Sequence, residues 1–131
     1  MTTRRKFIAG AAAMVIGSTA YGQKEKKGNN PLVHHVFFWL KNPESKEDLA
    51  KLIEGVNSLK KIKSLKLVKI GVPALTEKRD VIDNSYNLSL LTMFDDIKGH
   101  DAYQVDPIHT HFVETYSPLW NKETVYDSMD F

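Results

Sequence analysis

The sequence predicts a single α+β domain, and three observations lead to that prediction. The chain has 131 residues, enough for one domain, and 42% of them are hydrophobic, which argues against disorder over most of the chain. Strand-like alternation and helical spacing of apolar residues follow one another in the ferredoxin-like order β-α-β-β-α-β. The chain has no cysteine, so a disulfide framework, a thiolate metal site and a cysteine nucleophile are excluded.

The first residues have the pattern of an export signal. The pair Arg4-Arg5 precedes an uncharged run of apolar and small residues at positions 9–20. A cationic head, a short apolar body and small residues at its end are typical of a signal peptide, and the body is shorter than the about 20 apolar residues of a membrane span. The arginine pair favours the twin-arginine route. We expect residues 1–22 to be a twin-arginine signal peptide cut after Gly22; the alternative is a basic amphipathic tail.

Removal of this segment changes the charge balance. Three of the 18 basic residues leave, so 15 face the 16 acidic ones, and the formal net charge changes from +2 to −1. A nearly neutral domain has no electrostatic basis for binding nucleic acid. We therefore expect a periplasmic or secreted protein with no nucleic-acid partner and no stable membrane anchor. Residues 23–31 are predicted to be a flexible linker to the domain at 32–131.

The first predicted strand, at positions 32–41, is apolar on both of its faces. One face carries His34, Val36 and Phe38, and the other carries His35, Phe37 and Trp39. Helices cover only one face of a four-stranded sheet of this kind, so an apolar second face needs another partner. We expect a homodimer in which the His35 face meets the second copy; the alternative is that these rings are tolerated at the surface.

Caps and breakers set the boundaries of the next elements. Ser45, with an acidic residue three positions later, is the start of a capping box and predicts a helix that ends near Lys60. A second strand is predicted at 64–72, where alternating apolar residues end at Gly71 and a proline. Residues 76–85 are polar and are predicted to form an exposed loop.

The second half repeats the order of strand, helix and strand. A third strand is predicted at 86–94, followed by a helical region that starts at Asp95 or Asp96. Pro107 interrupts this region, because a proline forces the preceding residue out of helical geometry. A further helix follows, and a fourth strand is predicted at 124–129.

Four segments in this order resemble the Dabb family, the stress-responsive dimeric α/β-barrel domains. They are His34-x-Val36-x-Phe38-x-x-Lys41, Phe94-Asp95-Asp96, Tyr103-Gln104-x-Asp106-Pro107-x-His109 and Val125-Tyr126-Asp127. The resemblance covers Leu32 to about Met129. It implies a ferredoxin-like protomer that dimerises by bringing two sheets together into a barrel. It also implies a pocket between sheet and helices in each protomer, with the His34 face of the first strand on the pocket side.

The resemblance also implies the candidate site. The family includes a plant polyketide cyclase, and its catalytic tyrosine and histidine match Tyr103 and His109, while its first-strand pocket histidine matches His34. The aromatic positions of the family cavity, which would contact substrate, match Phe38, Phe112 and Trp120. A neutral imidazole can remove a proton near pH 7, and a phenol can hold the resulting oxyanion. A cyclase-like or isomerase-like lyase acting on a small, mostly apolar or aromatic molecule is one hypothesis.

Two departures from the family pattern leave the substrate open. Leu88 stands where the cyclase has a pocket histidine, and Gly55 stands where it has a pocket tyrosine. The second hypothesis is a non-catalytic, stress-associated binding or structural dimer. In that case His109 caps a helix, and Tyr103 hydrogen-bonds to backbone in the core.

Metal and cofactor sites are not expected from the sequence. Asp106, His109 and His111 crowd together with His100 nearby, but residues two apart on a helix point about 200° apart. His34 and His35 alternate across a strand and fail for the same reason. No spacing matches a zinc motif, a phosphate loop or a nucleophile elbow, so the prediction is no metal and no cofactor.

Overall fold

The structure, a computed structural model, describes residues 30–131. The expected signal peptide, its cleavage site and almost all of the expected linker lie outside the described residues. The elements are β1 (Leu32–Leu40), α1 (Lys46–Ser58), β2 (Leu67–Gly71), β3 (Leu88–Phe94), α2 (Ile97–Val105), α3 (Pro107–Tyr116) and β4 (Trp120–Met129). Short 3₁₀ turns, Leu59–Lys61 and Ser117–Leu119, follow α1 and α3.

One antiparallel sheet contains all four of these strands, in the order β2-β3-β1-β4. β1 is central, and the register places His34 opposite Thr92 of β3 and Asp127 of β4. A bulge between Trp39 and Leu40 shifts the pairing with β4. The element order and sheet order are those of the predicted ferredoxin-like α+β fold, which is confirmed.

Alternate residues of β1 build the core. The buried set on this strand is Leu32, His34, Val36, Phe38 and Leu40. The four apolar members of this set form one hydrophobic cluster with Leu52 of α1, Phe112 of α3 and the buried apolar residues of β3. Burial of each large apolar side chain stabilises the fold by about 1.5–3 kcal/mol. The predicted division of β1, with His34, Val36 and Phe38 toward the helices, is confirmed.

The opposite side of the sheet carries an apolar and aromatic surface, which we call the open face. It consists of Val33, His35, Phe37 and Trp39 of β1, Leu91 and Met93 of β3, and Tyr126 of β4. The ring centroids of Phe37 and Tyr126 are 6.0 Å apart, and Tyr126 is 65% exposed. An exposed patch of this kind marks an interaction surface on a small domain.

The predicted helix starts agree with the capping contacts. The backbone N–H of Asp48 donates to Ser45 Oγ at 3.1 Å, and that of Gly99 donates to Asp96 Oδ1 at 2.8 Å. Asp96, rather than Asp95, therefore begins the second helical region. α1 ends at Ser58, slightly earlier than predicted, because the chain tightens there into a 3₁₀ turn.

A break at Asp106 separates α2 from α3. Asp106 has φ −64° and ψ 136°, an extended conformation, and it ends α2 and caps α3. Its Oδ1 accepts from the backbone N–H of Ile108 at 2.8 Å. Pro107 is at the first position of α3, where a proline needs no N–H partner. The predicted interruption at Pro107 is confirmed.

The strand boundaries differ from the prediction by a few residues, most of all in β2 and β4. β4 begins at Trp120 instead of residue 124, because polar residues on an exposed edge strand do not show apolar alternation. β2 is shorter than residues 64–72, since the Leu65 N–H bonds to the Ile62 carbonyl in a turn. Among the described residues, no helix is both long enough and apolar enough to cross a membrane.

Candidate functional site

The three expected catalytic side chains lie together on the helix side of the sheet. His34 comes from β1, Tyr103 from α2 and His109 from α3. The ring centroids of His34 and Tyr103 are 6.1 Å apart, and those of Tyr103 and His109 are 4.6 Å apart. Tyr103 is therefore in the middle of the group, with an imidazole on each side.

The Tyr103 side chain is almost wholly buried, at 1% exposure. Among residues 30–131 its hydroxyl has no hydrogen-bond partner, although a buried tyrosine usually has one. Burial raises the pKa of the phenol, and the negative charge of Glu123 raises it further. The group stays protonated at neutral pH and is a hydrogen-bond donor without a partner in this region.

His109 is held in one tautomer by the end of α2. Its Nδ1 lies 3.2 Å from the carbonyl oxygen of Gln104, and a carbonyl only accepts, so Nδ1 carries the proton. Nε2 of the neutral ring then has the lone pair that a general base needs. Burial lowers the pKa of His109, and the Gln104 carbonyl opposes that shift. This contact lies at the C-terminal end of α2, before Pro107, whereas the alternative from the sequence was a cap on the helix after Pro107.

His34 is paired with a carboxylate from the neighbouring strand. Its Nδ1 lies 2.6 Å from Oδ1 of Asp127, which is directly opposite it in the β1–β4 register. A carboxylate accepts, so His34 donates from Nδ1. The His34 residue is buried, whereas the Asp127 side chain is 49% exposed.

A third imidazole, His100 of α2, completes the group. Its ring centroid is 4.9 Å from that of His34. Its Nδ1 donates to Asp101 Oδ1 at 3.1 Å, and its Nε2 accepts from the side-chain amide of Gln104 at 3.1 Å. Gln104 therefore holds two histidines, His109 through its backbone carbonyl and His100 through its side chain.

The three expected substrate-contacting aromatics pack against one another. The ring centroids of Phe38 and Trp120 are 4.7 Å apart, and those of Phe112 and Trp120 are 5.8 Å apart and stacked. Phe38 and Phe112 are 2% and 3% exposed, and Trp120 is partly buried. They form an apolar wall beside His109, whose ring centroid is 6.4 Å from that of Phe112.

The two departures from the family pattern have different structural outcomes. Leu88 is fully buried in the core of the sheet. At Gly55 an added β-carbon would lie 2.8 Å from the ring of Tyr116. A tyrosine ring from α3 thus covers the position in α1 where the resemblance expects a tyrosine of α1 itself.

Sequence reasoning missed the polar residues that surround this group. It considered His100 only with Asp106 and His109, whereas His100 lies against His34. It gave no role to Asp127, Glu123 or Gln104. Asp127 could have been found only from the pairing of the first and last strands. His111, by contrast, is exposed on α3, within 3.4 Å of Thr115 Oγ1.

Comparison with a family profile decides what kind of domain this is. The profile of the Dabb family, described as the Stress responsive A/B Barrel Domain, matches residues 32–130. The chain belongs to the Dabb family. The match spans every strand and helix described above, so all of these elements belong to the Dabb domain.

Solved structures agree with this assignment at the level of the fold. A Dabb family protein from Mesorhizobium loti is 19% identical, with a TM-score of 0.64, and the match covers 78% of this chain and 98% of that one. A hydroxynitrile lyase from Passiflora edulis is 17% identical, with a TM-score of 0.66 and coverage of 79% and 95%. A protein from Thermobifida fusca described as dimeric and ferredoxin-like is 16% identical, with a TM-score of 0.63 and coverage of 82% and 98%. No curated protein sequence matches the chain significantly.

Proposed function

We propose that this Dabb protein binds a small, mostly apolar or aromatic carbonyl compound beside Tyr103 and His109 and catalyses proton transfer on it. The reaction class is that of a cyclase-like or isomerase-like lyase. One observation carries the proposal: a buried phenol without a hydrogen-bond partner in the described region lies 4.6 Å, ring to ring, from an imidazole that burial keeps neutral. Together the two groups offer a hydrogen-bond donor and a base.

The chemistry follows from these two groups. Nε2 of His109 takes a proton from the carbon next to the carbonyl; the C–H bond breaks and its electron pair moves into an enolate. The Tyr103 hydroxyl donates a hydrogen bond to the enolate oxygen as its charge develops. The carbanion carbon then attacks a second carbonyl of the same molecule, or the proton returns at another carbon. In either case His109 gives the proton back and is neutral again.

His34 has the supporting role in this proposal. Its Nδ1 donates to Asp127 at 2.6 Å, so Nε2 is the ring nitrogen that we assign to the bound molecule. It holds a hydroxyl or enol proton of the bound molecule. The wall of Phe38, Phe112 and Trp120 contributes apolar contact and stacking, as in most small-molecule sites.

The assembly that we propose is a homodimer joined through the open face. The face combines exposed and half-exposed aromatic and aliphatic side chains on three strands, and structures with the same fold from Thermobifida fusca and Bacteroides fragilis are described as dimeric. The location that we propose is the periplasm or the extracellular space, by the twin-arginine route, on the basis of Arg4-Arg5 and the uncharged run after it.

The experiment begins with the ligand. Protein purified from its native host is analysed by mass spectrometry, and the molecule found is titrated into the wild type, Tyr103→Phe, His109→Ala and the control Tyr116→Phe. Loss of one oxyanion donor or of the base should lower turnover by about 100-fold or more. Tyr116→Phe removes a hydroxyl outside the group and should behave as the wild type. Normal turnover in both Tyr103→Phe and His109→Ala would refute the proposed mechanism.

A non-catalytic, stress-associated dimer with a binding or structural role is the second candidate, and one observation favours a non-catalytic role. Phe38 and Phe112 are almost fully buried and pack on Trp120, which is the arrangement of a closed core. A bound molecule that the wild type leaves chemically unchanged would establish this function. The fold does not favour a non-catalytic function over a catalytic one, since the same fold occurs in a hydroxynitrile lyase from Passiflora edulis.

A further inference from the structure

We propose that His34, His100 and Asp127 bind a divalent transition-metal ion of the Zn²⁺ type. Each of the three residues offers one ligand atom, and these atoms all lie within 4.8 Å of one another. They come from β1, α2 and β4, so the fold as a whole, and not a local sequence motif, brings them together. The inference does not depend on the proposed reaction.

The donor set indicates the class of ion. Two imidazole nitrogens and one carboxylate oxygen, without a thiolate, suit Zn²⁺ and the neighbouring first-row divalent ions better than Mg²⁺ or Ca²⁺, which prefer oxygen alone. Three protein ligands leave at least one coordination position for water or a small molecule. A site of this type is open, unlike a closed structural zinc site.

The hydrogen bonds in the structure indicate which ring nitrogens a metal ion would use. Asp101 Oδ1 accepts from Nδ1 of His100 at 3.1 Å, and the side-chain amide of Gln104 donates to Nε2 of the same ring at 3.1 Å, so Nε2 is the acceptor nitrogen. A metal-binding imidazole usually donates a hydrogen bond from its other ring nitrogen to a carboxylate, which fixes the orientation of the ring. His34 differs from His100, because the carboxylate on its Nδ1 belongs to Asp127, which is itself one of the three proposed ligands. A bound ion would therefore replace the proton in the 2.6 Å contact between His34 Nδ1 and Asp127 Oδ1.

The rearrangement needed is small. Ligand atoms about 2.0–2.2 Å from one ion are roughly 3–3.5 Å apart, so separations of up to 4.8 Å require movement of about 1 Å. The exposed Asp127 carboxylate has room to move, and the hydrogen bonds of the His100 ring within residues 30–131 are those to Asp101 and Gln104. On binding, the Gln104 amide would give up its hydrogen bond to His100 Nε2.

The short distance between the His34 and His100 rings is a second observation in favour of a metal site. Their ring centroids are 4.9 Å apart, yet within residues 30–131 the two rings share no hydrogen bond. Two imidazoles so close repel each other when protonated, whereas an ion between them turns the proximity into coordination. The sequence pointed away from a metal because it offered only His34–His35 and His109–His111 as close pairs.

The test measures metal binding alone. The tag-free chain is stripped with a chelator, loaded with Zn²⁺ or Co²⁺ and desalted; retained metal is counted by elemental analysis, and Co²⁺ coordination is followed by its visible absorption. We expect about one ion per chain. His100→Ala and Asp127→Asn should each weaken binding by at least about 100-fold, and Asp101→Asn, which changes only the outer shell, by about 10–100-fold.

The matched control is His111→Ala, which removes an exposed histidine outside the cluster and should bind as the wild type does. His100 and Asp127 are chosen over the buried His34 because their variants should keep the fold, which circular dichroism checks. Absence of retained metal in the wild type would overturn the proposal. Equal binding by the wild type, His100→Ala and Asp127→Asn would also overturn it.

Discussion

The ring of Tyr116 in α3 lies directly over Gly55 in α1. A β-carbon built at Gly55 would be 2.8–2.9 Å from three atoms of that ring, closer than such contacts are tolerated. The ring also stacks on Phe112, with centroids 5.6 Å apart. It therefore cannot move away without disturbing the apolar wall to which Phe112 belongs. The absence of a side chain at Gly55 therefore sets how closely α1 and α3 pack.

Gly55→Ala should destabilise the protein by about 1–2 kcal/mol. Overpacking costs about 1–3 kcal/mol, and the better helix propensity of alanine offsets up to about 1 kcal/mol. In a Tyr116→Ala background the contact is gone, so the same change should become stabilising. Urea denaturation at fixed protein concentration measures both effects. The control is Gly71→Ala, where an added β-carbon meets nothing within 4 Å and should be neutral or stabilising.

A charge on the open face should break the proposed dimer. Trp39→Glu would place a carboxylate in an apolar interface, at a cost of several kcal/mol. Analytical ultracentrifugation should then show monomer or aggregate. Val105→Glu, on an exposed position of α2, is the control and should leave the dimer intact. A well-folded Trp39→Glu dimer would mean that the two copies do not meet through the open face.

Stability should fall as the pH is lowered through the range in which His109 titrates. Burial holds its pKa below the ordinary 6.5; the His34 and His100 charges lower it further, whereas the Gln104 carbonyl and Asp106 oppose the shift. Below pH 6.5 the His109 side chain binds a proton in the unfolded chain but remains neutral in the folded protein. The unfolding free energy therefore decreases until the pH passes the folded-state pKa.

His109→Gln should flatten this decrease. The measurement is urea denaturation at several values between about pH 7.5 and 5, with the protein concentration held constant. His111→Gln, a change at an exposed histidine of the same helix, should keep the wild-type slope. An unchanged slope in His109→Gln would assign the pH dependence to other groups.

Export should depend on the arginine pair. Replacement of Arg4 and Arg5 by lysine keeps the charge of the head but removes the feature that favours the twin-arginine route. The protein should then accumulate in the cytoplasm, as cell fractionation would show. Lys6→Arg, which leaves the pair unchanged, is the control. Periplasmic delivery of the double-lysine variant would contradict the proposed route.

Local chemistry explains why most of the fold could be predicted from the sequence. Ser45 caps α1 through its own hydroxyl, and Pro107 breaks the helical region by its ring, so both signals act within a few residues. The alternation in β1 is equally local, because a strand turns successive side chains to opposite faces. The start of β4 was missed because Lys122 and its neighbours are exposed on an edge strand.

The polar part of the site could not be predicted in this way. Asp127 lies 93 positions from His34, and their contact depends on the β1–β4 register, where a slip of one residue would turn Asp127 to the other face. The covering of Gly55 by Tyr116 likewise depends on how two helices pack. Such contacts depend on tertiary packing, and local patterns in a single sequence do not indicate it.

The extended conformation of Asp106 determines whether Tyr103 and His109 can act on the same molecule. Tyr103 and His109 are six positions apart, and six residues of one continuous helix turn by about 600°, which leaves side chains about 120° away from each other. The break resets the direction of the chain, and the rings meet at 4.6 Å. A substitution that fused α2 and α3 into one helix would therefore separate the donor from the base while leaving both residues in place.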